Sequence, residues 1–145
     1  MSVSRTKPPT WFWIVAVLLL LWEVMGVWSF YEHTMNGPSA MGAQATDYDR
    51  ALYAALPGWY SFVFGVATLG GLAAVIALLR RHSSAVGLAG ISLAATVLMF
   101  GWMFLATDII AVKGVWTTYF PAVIIILGVL TLWFANSAKG RGWIG

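Results

Sequence analysis

Cysteine is absent from the 145 residues, which excludes disulfides, thioether-attached haem and thiolate-ligated metal or iron–sulfur centres. Charge is nearly as scarce: Asp, Glu, Lys and Arg together make up 9% of the chain, against about 25% in a soluble globular domain. Too little polar surface is therefore present to face water on every side. The net charge of +3 does not point to nucleic acid, because the eight cations lie scattered at chain ends and turns and form no basic face. No Ser/His/Asp set, phosphate-binding loop, dinucleotide glycine loop or paired glycosidase carboxylates occurs, so the chain reads as a non-enzyme.

What the chain has is apolar length. Four runs, at 11–31, 58–79, 85–106 and 118–135, each come close to the roughly 20 residues of helix that cross a bilayer core. All are too long for strands. The expected fold is all-α: one integral membrane domain of four transmembrane helices, with the lipid bilayer as its first partner. Between the runs lie a polar segment at 32–57, the tight turn "RRHSS" at 80–84 and the link "TDIIAVKGVWT" at 107–117. The ending "NSAKGRGWIG" reads as a polar, Gly-rich tail. A cleaved signal peptide is the competing reading of the start, since Arg5 and Lys7 precede the first run and "AQA" at 43–45 has the small-x-small form. The run is longer than a signal core and the site lies too far beyond it, so the first helix is expected to be retained.

Orientation follows from the cations. Arg5, Lys7, Arg80, Arg81, Lys139 and Arg141 fall on the side of the termini, and only Arg50 and Lys113 on the other. Excess Lys and Arg mark the cytoplasmic side, so both termini are expected inside. Trp28, Tyr31, Trp59, Tyr60, Trp116 and Tyr119 then sit near the outer interface, and Trp11, Trp13 and Trp133 near the inner one. In "TDYDRALYAALPGWY", Thr46 followed by Asp49 approaches a capping box, and Leu52, Tyr53 and Leu56 recur at helical spacing. A short interfacial helix on the outer side, ending at Pro57, is expected there. The residues "NGPSAMG" before it read as loop.

Lipid tails are as apolar as Leu, so membrane helices associate where small residues let backbones approach. Gly70, Gly71 and Ala74 in the second span and Gly90 and Ala94 in the third are the expected packing positions. Ser92 and Thr96 share a face of the third span, and bonding to their own helix's carbonyls is the favoured reading of both. Pro121 lies where a first-turn proline is tolerated.

One residue does not fit an inert bundle. Glu23 lies about two residues past the centre of the first run, where an ionised acid costs about 2.5–3.5 kcal/mol on the insertion scale. No Lys or Arg lies within any run to pair with it. Three readings stay open: a protonated acid bonded to a neighbouring helix at Ser92 or Thr96, a proton or cation site, or a partner subunit supplying the positive group. Trp22 and Trp102 lie deeper than the other indoles and are the candidates for ligand contact. His33 with Glu32, Asp47 and Asp49 matches no ligand spacing, and His82 lies in a turn, so neither a metal nor any other cofactor is expected.

The residues "EVMG" at 23–26 resemble the Glu-Val-x-Gly of helix one in small multidrug resistance transporters, with a fainter "GV" at Gly128 and Val129. Those are four-helix proteins acting as dimers, and the resemblance implies alternate binding of drug and proton at Glu23. Here the polar segment at 32–57 is longer than in that family and its third-helix motif is missing. A broader resemblance, carried by "PPTWFWIVAVLLLLWEVMGV", "RALYAALPGWY" and "ANSAKGRGW", is to uncharacterised four-helix inner-membrane proteins of alphaproteobacteria, often labelled sugar transporters. It implies a bacterial inner-membrane address. An Asn commonly stands there in place of Glu23, which implies a polar packing role at this position. Two functions follow as expectations: first, a packing or accessory subunit of a larger membrane assembly; as the alternative, a small proton-coupled transporter working as a homo-oligomer through Glu23.

Overall fold

The computed structural model describes residues 6–37 and 46–145; Arg5, the "AQA" at 43–45 and most of "NGPSAMG" lie outside them. Six α-helices follow one another: α1 (Thr10–Asn36), α2 (Asp47–Ala54), α3 (Tyr60–Leu79), α4 (Ser84–Ala106), α5 (Ile109–Lys113) and α6 (Tyr119–Gly140), with one 3₁₀ turn (Val115–Thr118) leading into α6. There is no strand among the described residues. The helices α1, α3, α4 and α6 are long and apolar enough to cross a membrane, and they turn large side chains such as Leu18, Phe62, Leu105 and Ile126 outward. In water that surface would be untenable; in lipid it is the ordinary exterior. The chain is a multi-pass membrane protein.

Local chemistry sets the helix ends. Two prolines precede α1, the second in extended backbone, and Gly37 at φ +57° ends it. The helix is longer than the sequence suggests, because Thr34 and Asn36 bond back one turn to the Phe30 carbonyl and the Glu32 carboxylate. Glu23 therefore stands at the midpoint of its 27 residues. The capping box of α2 forms, with Thr46 accepting from the Asp49 backbone and Asp49 accepting from that of Thr46, so Asp does the work of the usual Glu. Pro121 occupies the first turn of α6.

The tail corrects the sequence reading. Far from trailing as a polar end, α6 continues to Gly140, Gly142 turns at φ +76°, and Trp143 and Ile144 fold back into the core with 7% and 1% exposure. The amides of Gly142 and Trp143 donate to Lys139 and Ala138, a Schellman closure. The same closure ends α3, with Arg81 and His82 donating to Leu78 and Ala77. There the left-handed position is held by Arg81 (φ +56°) in place of glycine. Its guanidinium donates to the carbonyls of Trp143 (2.7 Å) and Thr6 (2.9 Å), and its own carbonyl accepts from Gly145. One arginine thus ties the α3–α4 turn to both ends of the described chain.

The helices form an arc in the order α1, α3, α4, α6. The broadest interface joins α3 to α4, followed by α1 with α3 and α4 with α6; α1 and α6 have no comparable one. Two buried clusters fill the arc. One, at the end carrying the termini, contains Phe12, Val75, Leu78, Phe134 and Ile144. The other, at the α2 end, contains Leu52, Tyr60, Met99, Met103 and Ile109. At the first end Phe12 stacks on Phe134 (5.4 Å between ring centres) and bridges α1 to α6.

Candidate functional site

Between the two clusters is a cavity of about 330 Å³, walled by α1, α3, α4 and α6. Here α1 and α6 share no broad interface, and Trp22 approaches Phe120 edge-on at 6.0 Å. Trp22, Glu23, Ser92 and Thr96 all line it. Trp102 does not: it packs on Tyr60 and Trp59 at the α2 end, one turn from the end of α4.

The Glu23 carboxylate lies against the Cα of Gly71 on α3, in the space where any other residue would carry a Cβ. Among the described residues no Lys or Arg pairs with it, and neither expected hydroxyl partner is bonded to it. Ser92 instead donates across the helix interface to the Ala67 carbonyl of α3 (2.5 Å), while Thr96 donates to the Ser92 carbonyl of its own helix (2.8 Å). The own-helix reading thus holds for Thr96 and not for Ser92. The acid faces the cavity with its hydrogen-bonding capacity unspent on neighbouring side chains. Around it the wall is chiefly aromatic and apolar: Trp22, Tyr60, Phe64, Phe100 and Phe120 contribute rings.

Of the expected packing residues, Ala74 is fully buried, Gly70 serves the α3–α4 contact, since a Cβ there would lie 3.5 Å from that of Ser92, and Gly71 serves the carboxylate. Gly90 and Ala94 differ. A Cβ on Gly90 would meet nothing, and Ala94 is exposed, so both belong to the outward face of α4 and not to the α3–α4 interface. Ala85 and Ala89 take the inward positions instead.

A second, smaller cavity of about 200 Å³ adjoins the first and lies beneath α2, with His33, Tyr53 and Leu52 in its wall. The Tyr53 hydroxyl donates to the His33 carbonyl (3.0 Å), and the His33 ring stacks on Phe64 (5.0 Å). Lys113 pairs with the buried Asp49, and the Tyr48 hydroxyl donates to Asp108 (2.8 Å). The Lys113 ammonium, with the Thr46 amide and hydroxyl, holds the Asp49 carboxyl below its ordinary range. Sequence reading missed these ties, which join residues about sixty positions apart and leave no periodic trace. Asp47 pairs with Arg50 within α2.

No protein-family model, curated protein or solved structure matches this chain.

Proposed function

We propose that the protein is a small membrane transporter that exchanges a proton for an apolar molecule carrying one cationic nitrogen, with Glu23 as the shared binding group. The carrying observation is the single carboxylate at the midpoint of α1, seated on Gly71 and facing a cavity walled by aromatic rings. Rings attract a cation through their faces and give apolar surface to the rest of the ligand. The Glu23 carboxylate, which no Lys or Arg among the described residues pairs, supplies the counter-charge, and its proton leaves to water as the cation binds. The local resemblance at 23–26 to small multidrug resistance transporters agrees with this role. The broader resemblance supports a bacterial inner membrane as its address, and the excess of Lys and Arg at the termini end supports both termini being cytoplasmic.

A second reading, a packing subunit of a larger assembly, is favoured by the outward stripe of Gly87, Gly90, Ala94 and Gly101 on α4, where a foreign helix would approach closely. Purification in mild detergent separates the two, because a co-purifying foreign subunit supports the second and a homogeneous self-assembly the first. For the transport role, proteoliposomes are loaded with benzyltrimethylammonium under a proton gradient. Wild type drives flux and Glu23→Gln, which cannot titrate, does not while remaining folded. Equal flux from both would refute it.

A further inference from the structure

We propose that the smaller cavity is the aqueous vestibule of the Glu23 cavity and that α2 is its lid, which rests on the binding role of Glu23 given above. The two cavities meet at Ser29, Tyr60 and Phe64, which line both. Along α1, Trp22, Gly26, Ser29 and His33 follow at steps of four, three and four residues, so they form one stripe. That stripe runs from the helix midpoint to the α2 end. Ten residues separate Glu23 from His33, about 15 Å of helix.

A bilayer gives an acid at mid-depth no water except along a built route. The volume beneath α2, about 200 Å³, holds several waters at about 30 Å³ each, and its wall offers the His33 ring and the Tyr53 hydroxyl as partners. Leu52, Leu56 and Met103 give the wall its aliphatic part. The roof is α2, whose one buried apolar side chain, Leu52, enters the cluster below and which is tied by Tyr53 to His33, Tyr48 to Asp108 and Lys113 to Asp49. None is covalent, and α2 makes no broad interface with any membrane helix. The floor is the Phe64 ring, stacked on His33, with Tyr60 beside it (5.9 Å from the His33 ring centre). Rotation of the Phe64 ring joins the two volumes without moving a helix.

The absence of native cysteine makes the route readable. Ser29→Cys places a thiol at the shared wall and Thr68→Cys places one inside the Glu23 cavity; both are checked for monodisperse elution. A membrane-impermeant cationic methanethiosulfonate is applied to either face of proteoliposomes of known orientation. Both thiols react roughly tenfold faster from the α2 face, because only a hydrated thiol ionises to the reactive thiolate. Adding Tyr53→Phe loosens the lid and speeds both. Adding Phe64→Ala speeds Thr68→Cys alone. Faster reaction from the termini face, reaction only with a lipid-soluble maleimide, or no reaction in the folded protein overturns the vestibule. The two proposals fail separately. Glu23-dependent flux without thiol access from the α2 face refutes the vestibule, whereas thiol access without Glu23-dependent flux refutes the binding role.

Discussion

The carboxylate of Glu23 occupies the place that a side chain on Gly71 would fill. A glycine on one helix thereby positions an acid on another, and the contact belongs to neither helix alone. Gly71→Ala drives a Cβ into the carboxylate, and the flexible end of Glu23 gives way before the backbones do. Stability falls by about 1 kcal/mol, the low end of overpacking costs, while Glu23-dependent flux is lost. Denaturant titration in mixed micelles beside the proteoliposome assay checks this; intact flux would show that the seat on Gly71 is incidental.

Arg81 holds a left-handed backbone that glycine would adopt without strain, and its guanidinium bonds to Trp143 and Thr6 are the compensation. Arg81→Ala keeps the strain and loses both bonds, costing about 2–4 kcal/mol for hydrogen bonds from a charged group. Arg81→Gly loses the bonds and relieves the backbone, so it recovers about 1 kcal/mol of that loss. Thermal unfolding in detergent therefore ranks wild type above Gly above Ala. A glycine variant at or above wild type would show that the tie adds no stability.

The Lys113–Asp49 pair makes α2 sensitive to acid in one direction. With its carboxyl held below the ordinary value, Asp49 contributes stability that is fully present above that value and is lost as pH falls through the lower, folded one. Amide exchange at Leu52 and Tyr53 thus stays slow at mildly acidic pH and speeds up only in stronger acid. Lys113→Met moves that transition upward in pH, and an unmoved transition would show that the pair does not hold α2.

Ser92 donates to Ala67 across the α3–α4 interface. Hydrogen bonds of this kind between membrane helices average about 0.6 kcal/mol and reach about 1.7, so Ser92→Ala lowers the free energy of unfolding within that range. Equilibrium unfolding of the purified variant gives the value, and a larger loss would mean that the hydroxyl serves more than this carbonyl.

The four spans, the acid within the first and the cap of α2 were legible because each leaves a local mark: about twenty apolar residues, one carboxylate among them, and Thr46 three positions before Asp49. The fold-back of Trp143 left a mark too, since Lys139 and Arg141 lead into Gly142 with an apolar residue after it, the pattern of a helix closure. It was masked by the polarity of the stretch. What could not be read is which way a small residue turns. Gly70 and Gly90 carry the same local signal, yet one meets Ser92 and the other meets nothing, because spacing marks a face without saying what stands opposite. The seat of Glu23 on Gly71 is hidden for the same reason.

The open arc of helices also bears on the order in which the chain assembles. The helices α3 and α4 are joined by a short turn and share the broadest interface, so they form a hairpin whose contacts are local and whose loop closes at little entropic cost. Each of α1 and α6 then has one principal neighbour to find, and neither must wait for the other. Stacking of Phe12 on Phe134 needs both in place and comes last. Folding therefore resembles two arms closing on a finished hinge, and the cavity that holds Glu23 takes its final shape only when the hands meet.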